Sequence, residues 1–252
     1  MENSTLAENN PAPVALITGG AKRLGAYNAR QLHQQGFNII IHYFRSQRAA
    51  ENLVAELNAN RPGSALCYSA NLNDLQAITN LVSFVKNRWG HLELLLNNAS
   101  SFYPTPFQSV TEAQWNDLFA SNVKTPFFLA QACTDMLKNS KGNIVNMIDI
   151  HAKRPLSNHA PYCMAKSALL TMTLALAKDL APDIRVNGIS PGAILWPSDA
   201  GTISDEKKEM ILSGIPLQKL GNEQDIADAL LYLINSPYIT GQIIDVDGGR
   251  SL

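Results

Sequence analysis

Short apolar runs alternate along the chain with longer stretches in which apolar positions recur every three or four residues. The first run, Val14 to Thr18, leads straight into Gly19-Gly20. Others follow at Asn38–His42, Ala65–Ser69, Leu92–Leu96, Asn143–Ile148, Ile184–Ile189 and Gln242–Val246. Leu92 to Leu96 is almost wholly apolar, as a strand buried on both faces should be. The stretches between have helical spacing. Leu24 to Gln35 stops at Gly36. Ser46 is placed to cap a helix reaching about Asn60, ended by Arg61-Pro62-Gly63. Asp74 to Trp89 closes at Gly90. Trp115 to Asn139 is helical with an interruption expected at Pro126. Tyr162 to Leu180 has no internal Gly or Pro, and Glu223 to Ile234 is the last helix.

Strands alternating with helices of this length are βαβ units, so the expected fold is α/β: one doubly wound domain around a seven-stranded parallel sheet with helices on both faces. It should occupy residues 13–252, after a flexible tail at 1–12, with 191–221 as a substrate loop or lid. Ligands of such sheets bind beyond the carboxyl ends of the strands, so residues just after each strand carry the chemistry.

Composition narrows the function. Of 252 residues, 46% are hydrophobic and 16% charged, enough for a sizeable core and too apolar for global disorder. Lys plus Arg is 20 and Asp plus Glu 21, so no basic excess is available for nucleic acid. No run of 18 apolar residues suggests a membrane span. The polar first thirteen residues do not read as a secretory signal. Three cysteines, Cys67, Cys133 and Cys163, have no C-x-x-C spacing, which argues against disulfides or a metal site and fits a cytoplasmic location.

The first turn, Thr18 to Gly25, has glycines where a pyrophosphate would approach a helix N-terminus. After the second strand, an acidic residue would bind the ribose hydroxyls of NAD. Here the segment is His42-Tyr43-Phe44-Arg45-Ser46. Arg45 and Ser46, with Arg23 adding charge, suit a phosphate and so NADPH, although Arg45 could also be a solvated helix-start residue.

Tyr162 and Lys166 lie four apart, on one helical face. A nearby ammonium should lower the phenol pKa from about 10 toward neutrality, making Tyr162 a proton donor after hydride addition. Asn98-Ala99 follows the fourth strand, Asp149 the fifth and Pro191-Gly192 the sixth, all at the same expected sheet edge.

With Asn122 and Asp247-Gly248-Gly249, these motifs resemble the short-chain dehydrogenase/reductase family over residues 14–250. The resemblance implies a Rossmann-like sheet, Tyr162 as acid, Lys166 on the nicotinamide ribose, Asn122 holding a water in a proton relay, and a homotetramer. It implies cofactor contacts at Gly19, Arg23, Leu24, Gly25, His42, Tyr43, Arg45, Ser46, Asn71, Leu72, Asn98, Ala99, Ser100, Tyr162, Lys166, Pro191 and Gly192.

Several positions depart from the general family pattern. Arg23 replaces the middle glycine of the turn, Ser100-Ser101-Phe102 follows Asn98-Ala99, Asp149 stands in place of a serine, and Asn71 in place of an aspartate. Arg23, Asp149 and the segment Asn97 to Pro106 resemble the pteridine reductases. That subgroup implies reduction of dihydropterins, in some members also of oxidised pterins and folates. Phe102 would stack on the pterin, Ser100 and Arg23 would contact substrate or cofactor phosphates, and Asp149 and Tyr162 would lie at the reacting edge.

Chemistry favours the same reading. Ketone reduction builds negative charge on oxygen, which a serine hydroxyl stabilises and an ionised aspartate repels. Reduction of a C=N bond instead leaves a nitrogen needing a proton, which an acid in a desolvated pocket can supply or relay. Asp149 could alternatively cap a local turn, and Phe102 could simply pack. Trp196 and Pro197 are candidate pocket walls, and Asp205 to Glu209 a solvated helix within a mobile lid. His159 and His151 carry no expected role. An NADPH-dependent carbonyl or 3-oxoacyl-thioester reductase is the alternative activity. A non-catalytic NADP(H)-binding sensor is a remoter one, since a pure binding module has no need to tune a phenol.

Overall fold

A computed structural model describes residues 11–194 and 204–252. Seven strands are present among the described residues: β1 Val14–Ile17, β2 Asn38–Tyr43, β3 Ala65–Ser69, β4 Leu94–Asn97, β5 Asn143–Met147, β6 Arg185–Pro191 and β7 Ile243–Val246. They form one sheet in the order β3-β2-β1-β4-β5-β6-β7, and every pairing is parallel. The eight α-helices among the described residues are α1 Arg23–Gln34, α2 Gln47–Asn60, α3 Leu75–Trp89, α4 Glu112–Phe119, α5 Thr125–Asn139, α6 Ala160–Asp179, α7 Asp205–Ser213 and α8 Glu223–Asn235.

The two-residue alternation of the strands sorts their side chains onto two cores. Ala15, Ile17, Ile39, Ile41, Leu94 and Leu96 face one side, with α1, α2 and α8. Val14, Leu16, Ile40, Leu95, Ile144 and Val186 face the other, with α3 and α5. The register aligns Ile40, Leu16, Leu95, Ile144 and Val186 in one row across five strands. All five are fully buried. This is the doubly wound fold expected from the apolar runs, Rossmann-like in its strand order.

The chain winds outward from β1 to β3, then returns to place β4 on the other side of β1. The carboxyl ends of β1 and β4 therefore flank the crevice at which the winding reverses, where ligands of such sheets bind.

Pro126 does not interrupt its helix. The segment from Glu112 to Asn139 is continuous through a π turn at Ala120–Lys124, and Pro126 falls in the first turn of α5. The wider turn absorbs a residue that cannot donate a backbone hydrogen bond. The helix also begins before Trp115, at a capping box in which Thr111 and Gln114 satisfy each other's backbone N–H groups. Ser46 holds the N-cap position of α2 but makes no side-chain cap bond. Asp205 to Glu209 is helical, within α7. Trp196 and Pro197 lie outside the described residues, as does the tail apart from Pro11 and Ala12. No helix among the described residues is long and apolar enough to cross a membrane.

Candidate active site

Thr18, the first residue of the turn after β1, ties the crevice together. Its Oγ1 accepts the backbone N–H groups of Asn98 and Ala99, each at 3.0 Å. Asn98 replies through Nδ2, which donates to the carbonyls of Thr18 at 2.9 Å and Gly19 at 3.2 Å. The end of β4 is thus bonded to the turn after β1. Gly25 sits beneath that turn: a Cβ there would lie 2.6 Å from Gly19 O and 2.7 Å from Asn98 Nδ2. Only a glycine lets α1 begin this close to the turn.

Arg23 is exposed and has a φ of 50°. A side chain in the left-handed region costs about 1 kcal/mol, which explains why glycine suits the position and makes the arginine's presence informative. Leu24, by contrast, packs on the first core.

His42 is a brace. Gly19 N–H donates to its Nδ1 at 3.3 Å, and its Nε2 lies 3.0 Å from Ala70 O. The first contact requires a bare Nδ1, so Nε2 carries the proton and donates to Ala70 O. Burial pushes the imidazole pKa down, consistent with the neutral ring. Both nitrogens are engaged, so a direct polar cofactor contact from this side chain is not favoured. Tyr43 packs partly against the first core and Leu72 is buried in the second, so their side chains likewise serve the scaffold.

Beyond β2 the positions are open. Arg45 is exposed, its guanidinium carbon 4.9 Å from the Phe44 ring centre. Ser46 keeps a hydroxyl that caps nothing. Asn71 is exposed, its Oδ1 accepting Asn73 N–H at 3.3 Å. Across the crevice, Pro191 ends β6, and Gly192 N–H donates to Val246 O at 2.9 Å.

Tyr162, Asp149, Ser100 and Asn122 converge beyond β4 and β5. Tyr162 Oη donates to Asp149 Oδ2 at 2.7 Å. The other carboxylate oxygen, Oδ1, accepts His151 N–H at 2.8 Å and so caps the short turn Ile150–Ala152. The capping and the tyrosine contact are therefore both real. Ser100 Oγ donates to Asn122 Oδ1 at 2.7 Å. Asn122 lies buried in the π turn, its Nδ2 donating to Leu118 O at 2.9 Å and Ser101 O at 3.1 Å.

One electrostatic expectation is reversed. Burial and the Asp149 charge push the Tyr162 pKa up, with the Ser100 hydroxyl pulling weakly the other way. Lys166 is buried and donates to Met147 O at 2.8 Å. Its Nζ lies 5.8 Å from the Tyr162 ring centre. Burial lowers the Lys166 pKa to about 8, against an opposing pull from Asp149. The helical face pairs the two residues as expected, but the phenol's hydrogen-bond partner is the aspartate.

Phe102 meets Tyr162 in a T-shaped contact with ring centres 4.8 Å apart. It stacks on His159 at 4.9 Å and 13°. The involvement of His159 was not expected from sequence. It precedes α6 as a solitary histidine with no ligand spacing, and only the fold brings it to Phe102.

These features fit a dinucleotide. The turn is clear of side-chain bulk at Gly25, and the cationic residues Lys22 and Arg23 beside it are exposed.

Comparison with known proteins agrees. A family model described as enoyl-(acyl carrier protein) reductase matches residues 19–251. Pteridine reductase 1 of Leishmania tarentolae is 37% identical, covering 96% of this chain and 97% of that protein. A 3-oxoacyl-(acyl-carrier-protein) reductase of Staphylococcus aureus is 33% identical, covering 93% and 96%. A 2,5-dichloro-2,5-cyclohexadiene-1,4-diol dehydrogenase of Sphingobium indicum is 32% identical, covering 98% and 99%. The crevice, the Tyr162–Lys166 face and these relatives agree: the chain belongs to the short-chain dehydrogenase/reductase family, as an oxidoreductase of the kind that uses NAD(P)H.

Proposed function

We propose that this protein is an NADPH-dependent pteridine reductase, reducing a C=N bond of a dihydropterin such as dihydrobiopterin, dihydromonapterin or dihydrofolate to the tetrahydro form. Oxidised pterins are further candidate substrates. The observation that carries the reading is the 2.7 Å hydrogen bond from Tyr162 to Asp149, with Phe102 beside it.

A reduced nicotinamide, when bound, supplies the hydride. The protein's own part is the proton. Burial and Asp149 keep Tyr162 protonated, so the phenol yields its proton only to a strongly basic acceptor. The nitrogen left by hydride addition to C=N is such an acceptor. Asp149 fixes the hydroxyl, and its second oxygen is held by His151 N–H, which keeps the carboxylate in place. Phe102 offers an aromatic surface to a flat heterocycle. Gly19, Gly25, Asn98 and Ala99 would shape the cofactor crevice, and Lys166 would hold the nicotinamide ribose. Arg45 and Ser46 supply a charged fork and a spare hydroxyl for a ribose phosphate, which favours NADPH over NADH.

We assign the protein to the cytoplasm, on its three free cysteines. Self-association as a homotetramer is supported by an apolar groove between α5 and α6, lined by Phe119, Phe127, Met172 and Leu176. Phe127 is 41% exposed there.

The identity to a 3-oxoacyl-thioester reductase favours a second reading, a carbonyl reductase. NADPH oxidation by the purified protein, offered dihydropterins in parallel with acetoacetyl thioester and simple ketones, separates the two. Turnover of dihydropterins alone supports the first, and turnover of the thioester alone overturns it.

A further inference from the structure

Phe102 is the most exposed ring of the site, with 55% of its surface open. A phenylalanine on an open loop has two freely rotating side-chain torsions and makes a poor platform unless something fixes its plane. The ring parallel to it is His159, tilted by only 13°. His159 is itself held. Its Nδ1 is 2.7 Å from Ser157 O, a group that can only accept, so Nδ1 donates and the ring cannot turn over without losing that bond. Its carbonyl accepts Cys163 N–H at 2.9 Å, fastening it to the first turn of α6.

The two loops are also joined through their backbones. Thr105 N–H donates to Asn158 O at 2.6 Å. Asn158, next to His159, has a φ of 58°, a left-handed conformation that asparagine tolerates better than most residues. Tyr103, next to Phe102, is anchored on the other side by its hydroxyl, which donates to Asp117 Oδ2 at 2.9 Å. Backbone and neighbours thus fix where the Phe102 loop lies, and His159 fixes how its ring faces. The imidazole makes no cap bond to α6, so the helix does not depend on it.

We infer that His159 is a positioning residue for the substrate: it backs the Phe102 ring and holds it flat for a pterin stacking on the ring's open surface. This rests on the pteridine-reductase reading of the site. The partners of the His159 imidazole are Ser157 O and the Phe102 ring, so its contribution falls on pterin binding and not on the chemical step.

The test is steady-state kinetics of His159→Ala and His159→Phe with NADPH and dihydrobiopterin. His159→Ala is expected to raise the pterin KM about three- to tenfold, the value of one aromatic stack. Its kcat and NADPH KM stay at wild-type values. His159→Phe restores the pterin KM in part, because it keeps the flat ring but loses the bond to Ser157 O. An unchanged or lower pterin KM in His159→Ala overturns the inference, the lower value meaning that the imidazole occupies the substrate's place. A loss confined to kcat, or no rescue by phenylalanine, overturns it as well. A second readout needs no turnover: the His159 ring proton signals should be displaced by the Phe102 ring current, and return toward free-histidine positions in Phe102→Ala. Absence of that displacement in the wild type overturns the inference. If the wild type turns over no dihydropterin, the functional reading fails, and the proton signals still decide whether His159 holds Phe102.

Discussion

Tyr162 Oη donates to Asp149 Oδ2 across 2.7 Å, while Oδ1 of the same carboxylate accepts His151 N–H at 2.8 Å. One oxygen fixes the carboxylate to its turn and the other fixes the phenol to the carboxylate. The phenol is buried and held protonated, beside an aromatic ring left open to ligand. A proton placed this way points at Asp149, and reaching a base created in the crevice requires the hydroxyl to turn from the carboxylate.

Tyr162→Phe removes that proton and keeps the ring that contacts Phe102. Its kcat should fall by about 10²–10⁴, the usual worth of a positioned acid. NADPH affinity, measured by fluorescence titration, should be unchanged.

Gly25→Ala places a methyl group 2.6 Å from Gly19 O. The obstacle is backbone, so the first turn must move. Overpacking of this kind costs about 1–3 kcal/mol, and the NADPH dissociation constant should rise about tenfold or more. Isothermal titration with the cofactor checks this.

Arg45→Ala should discriminate between the two dinucleotides. A charge-assisted hydrogen bond to phosphate contributes about 1.5–3 kcal/mol, so the NADPH KM should rise about tenfold or more. The NADH KM should barely change, since NADH lacks the ribose phosphate. Equal effects on both cofactors would mean that Arg45 does not read the phosphate.

Lys166→Met gives a pH signature. Burial lowers the folded-state pKa of Lys166 to about 8, below the ordinary value of 10.5. Below about pH 8 both states bind the proton and the full burial penalty is present. Between about 8 and 10.5 only the unfolded state binds it, so wild-type stability rises relative to the variant. Urea denaturation at pH 7.5 and pH 10 should therefore show the variant losing relative stability at the higher pH. A pH-independent difference would contradict the buried-lysine assignment.

The sheet was legible because strands buried on both faces cannot hide their apolar runs: Leu94, Leu95 and Leu96 are all fully buried. The glycine turn and the Tyr162–Lys166 spacing were legible because local geometry dictates them. Pro126 misled because a π turn before it absorbs its missing donor, which no periodicity shows. The direction of the Tyr162 pKa was not legible either. Helical spacing puts Lys166 on the right face, but only the fold reveals that its ammonium donates to Met147 O. His159 was missed for the same reason: its ring has meaning only through Phe102, far away in sequence and brought near by the loops beyond β4 and β5.

The central claim is that Asp149, with Tyr162, makes this site a reducer of C=N bonds. The most direct measurement is kcat/KM for dihydrobiopterin and for acetoacetyl thioester in the wild type and in Asp149→Ser. Serine can still cap the turn after β5, so the fold is expected to survive, and NADPH titration checks that it does. The account predicts that dihydropterin turnover falls about a hundredfold or more in Asp149→Ser, while NADPH affinity holds. Retention of dihydropterin turnover at the wild-type level would contradict it.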